Sequence, residues 1–266
     1  MQRDIAMLKH RIIPCLLLDG TGLVKTTKFC KPEYIGDPIN AIRIFNEKEV
    51  DELIVIDIFA TKENRDPNFL LIEQFASECF MPLAYGGGIR SIEQARQLFT
   101  LGVEKICLQT AVLDDISLIT KFVDQFGSQS VLVSIDIKQN WTGKRQLYSA
   151  STGKSIAYDW VTFLTKVVAA GAGEIVLNSV DRDGTMRGMD IELISIAAKE
   201  VGVPIIAMGG AGCLADFKSA VKAGASAVAA GAYFVYYGPH RAVLITYPKY
   251  ADLEELFGKQ VGNIES

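Results

Sequence analysis

The chain has 266 residues, 49% of them hydrophobic and 22% charged, enough to bury a sizeable core without disulfides or a structural metal. Twenty-seven basic residues against 31 acidic ones give a formal charge of −4, which argues against a nucleic-acid-binding surface. Five cysteines without a CxxC pair fit free thiols in a reducing compartment, and two histidines, His10 and His240, are too few for a multi-histidine metal site.

Met7 is a candidate start, because residues 1–6 add no pattern of their own. The first apolar run, 11–18, contains Pro14 and meets Asp19-Gly20 rather than a small-residue cleavage site. It therefore reads as a buried strand and not as a secretory signal. Further strands are expected at 52–58, 82–85, 105–109, 131–137, 174–180, 203–208 and 227–231. Helical periodicity fills segments such as 92–101, 118–126 and 159–170, and the polar stretch 139–155 reads as an extended loop after the fifth strand. The uncharged stretch 223–239 is interrupted by Gly224, Gly231 and Gly238 and is too short to span a membrane. The expected location is cytoplasmic, with no membrane partner. Eight strands alternating with helices predict an α/β protein, a single (β/α)8 TIM barrel covering 1–266.

The chain also repeats itself. Glu52-Leu53-Ile54-Val55 matches Glu174-Ile175-Val176-Leu177, Pro82 matches Pro204, Gly87-Gly88 matches Gly209-Gly210, and Gly102 matches Gly224, all at a shift of 122 positions. The first and fifth strands match at a shift of 119, so Leu17 is equivalent to Asp136. Two half-barrels, about 7–125 and 126–250, are expected. Each carries a glycine loop between a strand and a helix, Gly86-Gly87-Gly88 and Gly209-Gly210-Ala211-Gly212, where the backbone can approach an anion. A ligand with a phosphate at each end is therefore expected at the mouth, flanked by Gln109-Thr110 and by Asp181-Arg182-Asp183-Gly184-Thr185.

These features sit beside Arg11-Ile12-Ile13-Pro14-Cys15-Leu16, Gly36-Asp37-Pro38, Asp51-Glu52-Leu53, Gly88-Ile89-Arg90, Phe126-Gly127-Ser128-Gln129, Ile135-Asp136 and Gly171-Ala172-Gly173-Glu174. With them the chain, over about 7–236, resembles the HisF family, the cyclase subunits of imidazole glycerol phosphate synthase. The resemblance implies a HisH-like glutaminase subunit at the bottom of the barrel, whose ammonia crosses the interior to the top. There it attacks a bisphosphorylated formimino-ribonucleotide, with two aspartates on strands 1 and 5 as general acid and base. It also implies a lysine near the substrate in the loop after strand 1, here Lys25, and a four-charge ammonia gate, here Arg11, Glu52, Lys105 and Glu174. No cofactor and no metal are implied.

Asp136 fits the aspartate of strand 5, but the strand-1 place holds Leu17. A leucine carries no proton, and loss of a positioned acid or base costs on the order of 10²–10⁴ in rate. Asp19, two residues on, is the candidate substitute, because alternate residues of a strand share a face; its other reading, implied by the resemblance, is the family's turn aspartate. The expected phosphate- and substrate-binding set is Lys25, Asp57, Gly87, Gly88, Gln109, Thr110, Asp183, Gly184, Gly209, Gly210, Gly231 and Ala232. Gln109 and Ala232 stand where the family has asparagine and serine. Cys15 and Cys107 read as packing residues, and Trp141 as either a lid aromatic or a docking residue.

In keeping the gate while losing an aspartate, the chain is similar to a branch of the family that accompanies a glutaminase and a separate sugar amidotransferase. That resemblance implies a HisF-like barrel of a glutamine amidotransferase system that passes ammonia on, for acetamidino groups on surface polysaccharide sugars. Two alternatives stand beside it. One is an authentic histidine-biosynthesis cyclase; the other is a non-catalytic scaffold that activates a glutaminase.

Overall fold

The computed structural model describes residues 10–257, so the expected start at Met7 and the outer ends of the predicted domain lie outside the described residues. Eight parallel strands form the barrel: β1 (Arg11–Asp19), β2 (Leu53–Asp57), β3 (Leu83–Gly86), β4 (Lys105–Leu108), β5 (Val131–Gln139), β6 (Glu174–Ser179), β7 (Ile205–Met208) and β8 (Ala227–Ala230). Each pairs with the next, and β8 closes onto β1 with Arg11 opposite Ala227 and Pro14 opposite Ala230.

The strands are apolar almost throughout because both of their faces are covered. Alternation sorts their side chains into two cores. Ile12, Leu16, Val55, Ile106 and Leu177 face outward and pack on the helices through Phe45, Phe75, Leu98, Phe122 and Phe217. Ile13, Cys15, Leu17, Ile54, Ala84, Cys107, Leu132, Val176, Ile206 and Ala229 face inward and fill the barrel. Several helices begin at side-chain caps that satisfy their first amides. Asp37 accepts from Asn40 N at 2.8 Å, Asp159 from Thr162 N at 2.8 Å, and Ser91 forms a reciprocal capping box with Gln94.

The internal repeat is visible in backbone contacts. A Cβ on Gly87 would lie 2.3 Å from the Asp57 carbonyl oxygen, and a Cβ on Gly209 would lie 2.6 Å from that of Ser179, 122 positions further on. Both glycines have positive φ, so close backbone approach and conformation together require glycine there.

Two expected loops are hairpins instead. After β1, Gly22–Thr27 pairs antiparallel with Cys30–Gly36, and after β5, Arg145–Ser149 pairs with Lys154–Ile156. Lys25 therefore lies on a strand rather than in a loop, and 139–155 is ordered rather than irregular. The first turn escapes a glycine-based reading because Lys28 and Phe29 both adopt positive φ without being glycine. No helix among the described residues is long and apolar enough to cross a membrane.

Candidate functional site

At the bottom of the barrel, Arg11, Glu52, Lys105 and Glu174 form a closed ring. Arg11 Nη1 lies 2.5 Å from Glu52 Oε2, and Arg11 Nη2 lies 2.7 Å from Glu174 Oε2. Lys105 Nζ completes the circle at 2.9 Å from Glu52 and 3.0 Å from Glu174. Each carboxylate faces two cations and each cation faces two carboxylates, so the ring is neutral. Such pairing is what makes charge tolerable in a low-dielectric interior. Burial pushes the Glu174 carboxyl upward, but the Arg11 hydrogen bond and the charges of Arg11 and Lys105 outweigh it and hold Glu174 below its ordinary value.

Hydrocarbon fills the barrel between this ring and the opposite end. The mouth is an open cavity at the carboxyl ends of the strands. Asp136 on β5 and Leu17 on β1 both line it, and Leu17 is only 9% exposed. Burial pushes the Asp136 carboxyl up to about 7, with the Ser134 and Asn178 hydrogen bonds opposing and the Asp183 charge adding to the rise. Ser134 Oγ donates to Asp136 Oδ1 at 3.1 Å. An acid of this kind exchanges protons near neutrality, where general acid–base chemistry is most effective.

Lys25 is buried, with Nζ 3.4 Å from Asp183 Oδ1, and Thr26 Oγ1 donates to Asp183 Oδ2 at 3.2 Å. Lys28 N donates to the Asp183 carbonyl at 2.9 Å, so the first hairpin is fastened to the loop after β6. Gly184 is required at that seam, since a Cβ there would lie 2.2 Å from the Thr26 carbonyl oxygen. Phe29, at the tip of this hairpin, meets Tyr148 of the second hairpin with ring centroids 6.0 Å apart. The repeat-equivalent excursions after β1 and β5 thus touch over the mouth.

Gly87, Gly88, Gln109, Thr110, Gly209, Gly210, Gly231 and Ala232 all line the cavity. Some of their polar groups are already engaged. Gln109 donates from Nε2 to the Tyr148 carbonyl at 3.1 Å and accepts from Thr110 Oγ1 at 2.7 Å. Asp57 lines the cavity too, but its carboxylate caps the loop after β2, accepting from Phe59 N at 3.0 Å, Ala60 N at 2.8 Å and Arg65 Nη1 at 3.2 Å. Asp181 accepts from Gln139 N at 2.7 Å and is not among the lining residues.

Asp19 is displaced from the role its spacing suggests. It pairs with Gly22 at the start of the first hairpin, is exposed, and lies outside the lining of the mouth. The strand turns back there, so the alternation that would aim Asp19 inward ends with Leu17. Trp141 is 95% exposed in the turn that joins β5 to the second hairpin and does not reach the cavity. Cys15 and Cys107 are buried in the floor, and burial pushes the Cys15 thiol up to about 12, which leaves it protonated and unreactive. Residues that sequence reasoning passes over are Thr26, Phe29, Ser134, Ser151 and Asn178. Alternation could have found two of them: Ser134 shares the inward parity of Asp136, and Asn178 that of Glu174.

The histidine biosynthesis protein family matches residues 11–240. The chain is 52% identical over 243 residues to the "Putative imidazole glycerol phosphate synthase subunit hisF2" of Pseudomonas aeruginosa, covering 91% of this chain and 97% of the relative. It is 47% identical over 253 residues to the "Putative imidazole glycerol phosphate synthase subunit HisF" of Leptospira borgpetersenii, covering 94% of this chain and all of the relative (100%). It is 40% identical over 230 residues to the "Imidazole glycerol phosphate synthase subunit HisF" of Endomicrobium trichonymphae, covering 86% of this chain and 88% of the relative.

Proposed function

The chain belongs to the histidine biosynthesis protein family, and from that premise we propose that it is a HisF-like barrel kept for ammonia delivery, with its cyclisation weakened. A glutaminase of the HisH kind docks at the bottom of the barrel in this reading. The neutral ring of Arg11, Glu52, Lys105 and Glu174 is the entrance, and the apolar interior is the passage. Ammonia leaves at the mouth and goes to a separate cytoplasmic sugar amidotransferase, which builds an acetamidino group on a surface polysaccharide sugar.

The observation that carries the reading is Leu17. It fills the strand-1 place in the cavity of Asp136, and no carboxylate from the neighbouring turn replaces it, because Asp19 faces away. One half of a general acid–base pair is hydrocarbon while the four-charge ring is complete.

A second reading has its own support. Asp136 sits near neutrality, Lys25 and Asp183 line the same cavity, and the two glycine loops face it from repeat-equivalent places. These are parts that an authentic histidine-biosynthesis cyclase would use to hold and convert a bisphosphorylated substrate.

Turnover of the formimino-ribonucleotide with ammonium salt, measured beside the Endomicrobium trichonymphae subunit, separates the two. The ammonia-delivery reading expects a rate at least about 100-fold lower than that relative's. A comparable rate would overturn it in favour of the cyclase.

A further inference from the structure

Among the described residues, two buried side-chain polar atoms have no hydrogen-bond partner, Arg145 Nε and Asn178 Oδ1. Arg145 lies on the second hairpin, and its guanidinium is already bound through Nη2 to Asp190 at 3.0 Å and Glu192 at 2.9 Å. Asn178 is different. It is 1% exposed, faces the barrel interior from β6, and lines the floor of the mouth directly beside Asp136, its register partner on β5. Its amide hydrogen bonds to the Asp136 carboxylate, which leaves Oδ1 as an acceptor with nothing to accept from. Leaving a buried acceptor unpaired costs about 1–3 kcal/mol, and this one borders the cavity where a donor could reach it.

We propose that Asn178 Oδ1, the Asp136 carboxylate and Ser134 Oγ form a binding subsite for ammonia at the floor of the mouth. The inference rests on the ammonia-delivery reading and names the place where the cargo pauses. The set is rich in acceptors: a carboxylate, a free carboxamide oxygen and a hydroxyl already donating to that carboxylate at 3.1 Å. Ammonia brings three N–H donors, where water brings two. With its hydrogens held by this floor, its lone pair remains for the acceptor. The surrounding wall of Leu17, Ile56, Cys107 and Met208 is poor in groups that would hold water. Gly209 packs close on this oxygen, since a Cβ there would lie 2.9 Å from Asn178 Oδ1. Oδ1 is itself occluded, so entry requires a neighbouring side chain to move. Met208, in register with Asn178 on β7 and only half-buried, is a flexible thioether suited to that motion.

The test is an NMR titration of the full chain labelled with 13C at the side-chain carbonyls of Asp and Asn. Ammonium chloride at pH 8.5, which supplies both ammonium and free ammonia, is compared with equal sodium chloride. The Asn178 and Asp136 carbons should shift saturably with ammonium and not with sodium. Asn178→Leu should weaken the Asp136 response about tenfold. Asn178→Ala replaces it if leucine prevents folding. Equal responses to the two salts, or an Asp136 response untouched by the substitution, would overturn the subsite. Tracing glutamine nitrogen in the glutaminase complex reads the conduit separately. Successful tracing without an ammonium response sinks the subsite alone, and ammonium binding without glutamine nitrogen in product sinks the conduit alone.

Discussion

The two ends of the same strands treat buried charge in opposite ways. At the bottom, Arg11, Glu52, Lys105 and Glu174 are satisfied by one another through four contacts of 2.5–3.0 Å. At the mouth, Asp136 has no cation bonded to it, shares its cavity with Leu17, and sits near neutrality because burial penalises its charge. Lys25, the cation that could have relieved it, is paired with Asp183. Balanced charge makes a wall that stays put, whereas an unbalanced carboxyl holds a proton it can give up. The difference teaches that the bottom of this barrel is balanced as built, and that the mouth holds one carboxyl poised near neutrality in a cavity it shares with Leu17.

Restoring the missing half should produce the largest effect. Leu17→Asp places a carboxyl back in the cavity and should raise turnover of the formimino-ribonucleotide by on the order of 10²–10⁴, measured with ammonium salt as nitrogen source. An unchanged rate would mean that the pair was never broken, as the cyclase reading holds.

Breaking the balance at the bottom should cost stability instead. Glu52→Ala leaves Arg11 and Lys105 facing one carboxylate, and urea unfolding should show a loss of about 3–5 kcal/mol. A loss below about 1 kcal/mol would mean that solvent, and not the ring, satisfies those cations.

Asp136→Asn should have the opposite sign. The folded protein holds its Asp136 proton up to about pH 7, while the unfolded chain releases it near the ordinary aspartate value of about 3.9. The folded state therefore binds more protons between those values, and Asp136 lowers stability progressively as pH rises through that window. Asparagine removes this penalty, so the variant should be more stable by on the order of 2–4 kcal/mol at pH 8 and level with the parent near pH 4. A difference independent of pH would contradict the assignment.

The smallest effect belongs to Asp19. In the parent chain, Asp19→Asn should alter the residual turnover by no more than about twofold, since an exposed hairpin residue outside the cavity is remote from the reaction. Abolished turnover would restore Asp19 as the substitute acid.

Much of this contrast was legible in the residues. Short apolar runs alternating with segments of helical period marked all eight barrel strands, with ends shifted by two residues at most, as at β7, expected over 203–208 and observed over Ile205–Met208. The shift of 122 positions placed both glycine loops, and the family resemblance singled out Arg11, Glu52, Lys105 and Glu174, which the structure joins in a ring. The hairpins after β1 and β5 were not legible. Their strands are short and polar, and the first turn uses Lys28 and Phe29 at positive φ where glycine would have signalled it. That omission is what made Asp19 a candidate, because alternation was carried past the point where β1 turns back. It also hid Lys25, which reads as a loop lysine until its strand and its pairing with Asp183 are seen. Asn178 stood on an inward-facing position throughout, but an unpaired oxygen is a property of packing and has no signature in sequence.

The central claim joins an intact passage to a broken pair, and one measurement reaches both. The Leu17→Asp variant in complex with its glutaminase is given formimino-ribonucleotide, glutamine labelled with 15N in its amide, and a large excess of unlabelled ammonium. The account predicts that turnover is restored and that the imidazole product carries the glutamine label despite the excess. Product nitrogen that follows the bulk ammonium would contradict it, because the ring and the apolar interior would then lead nowhere.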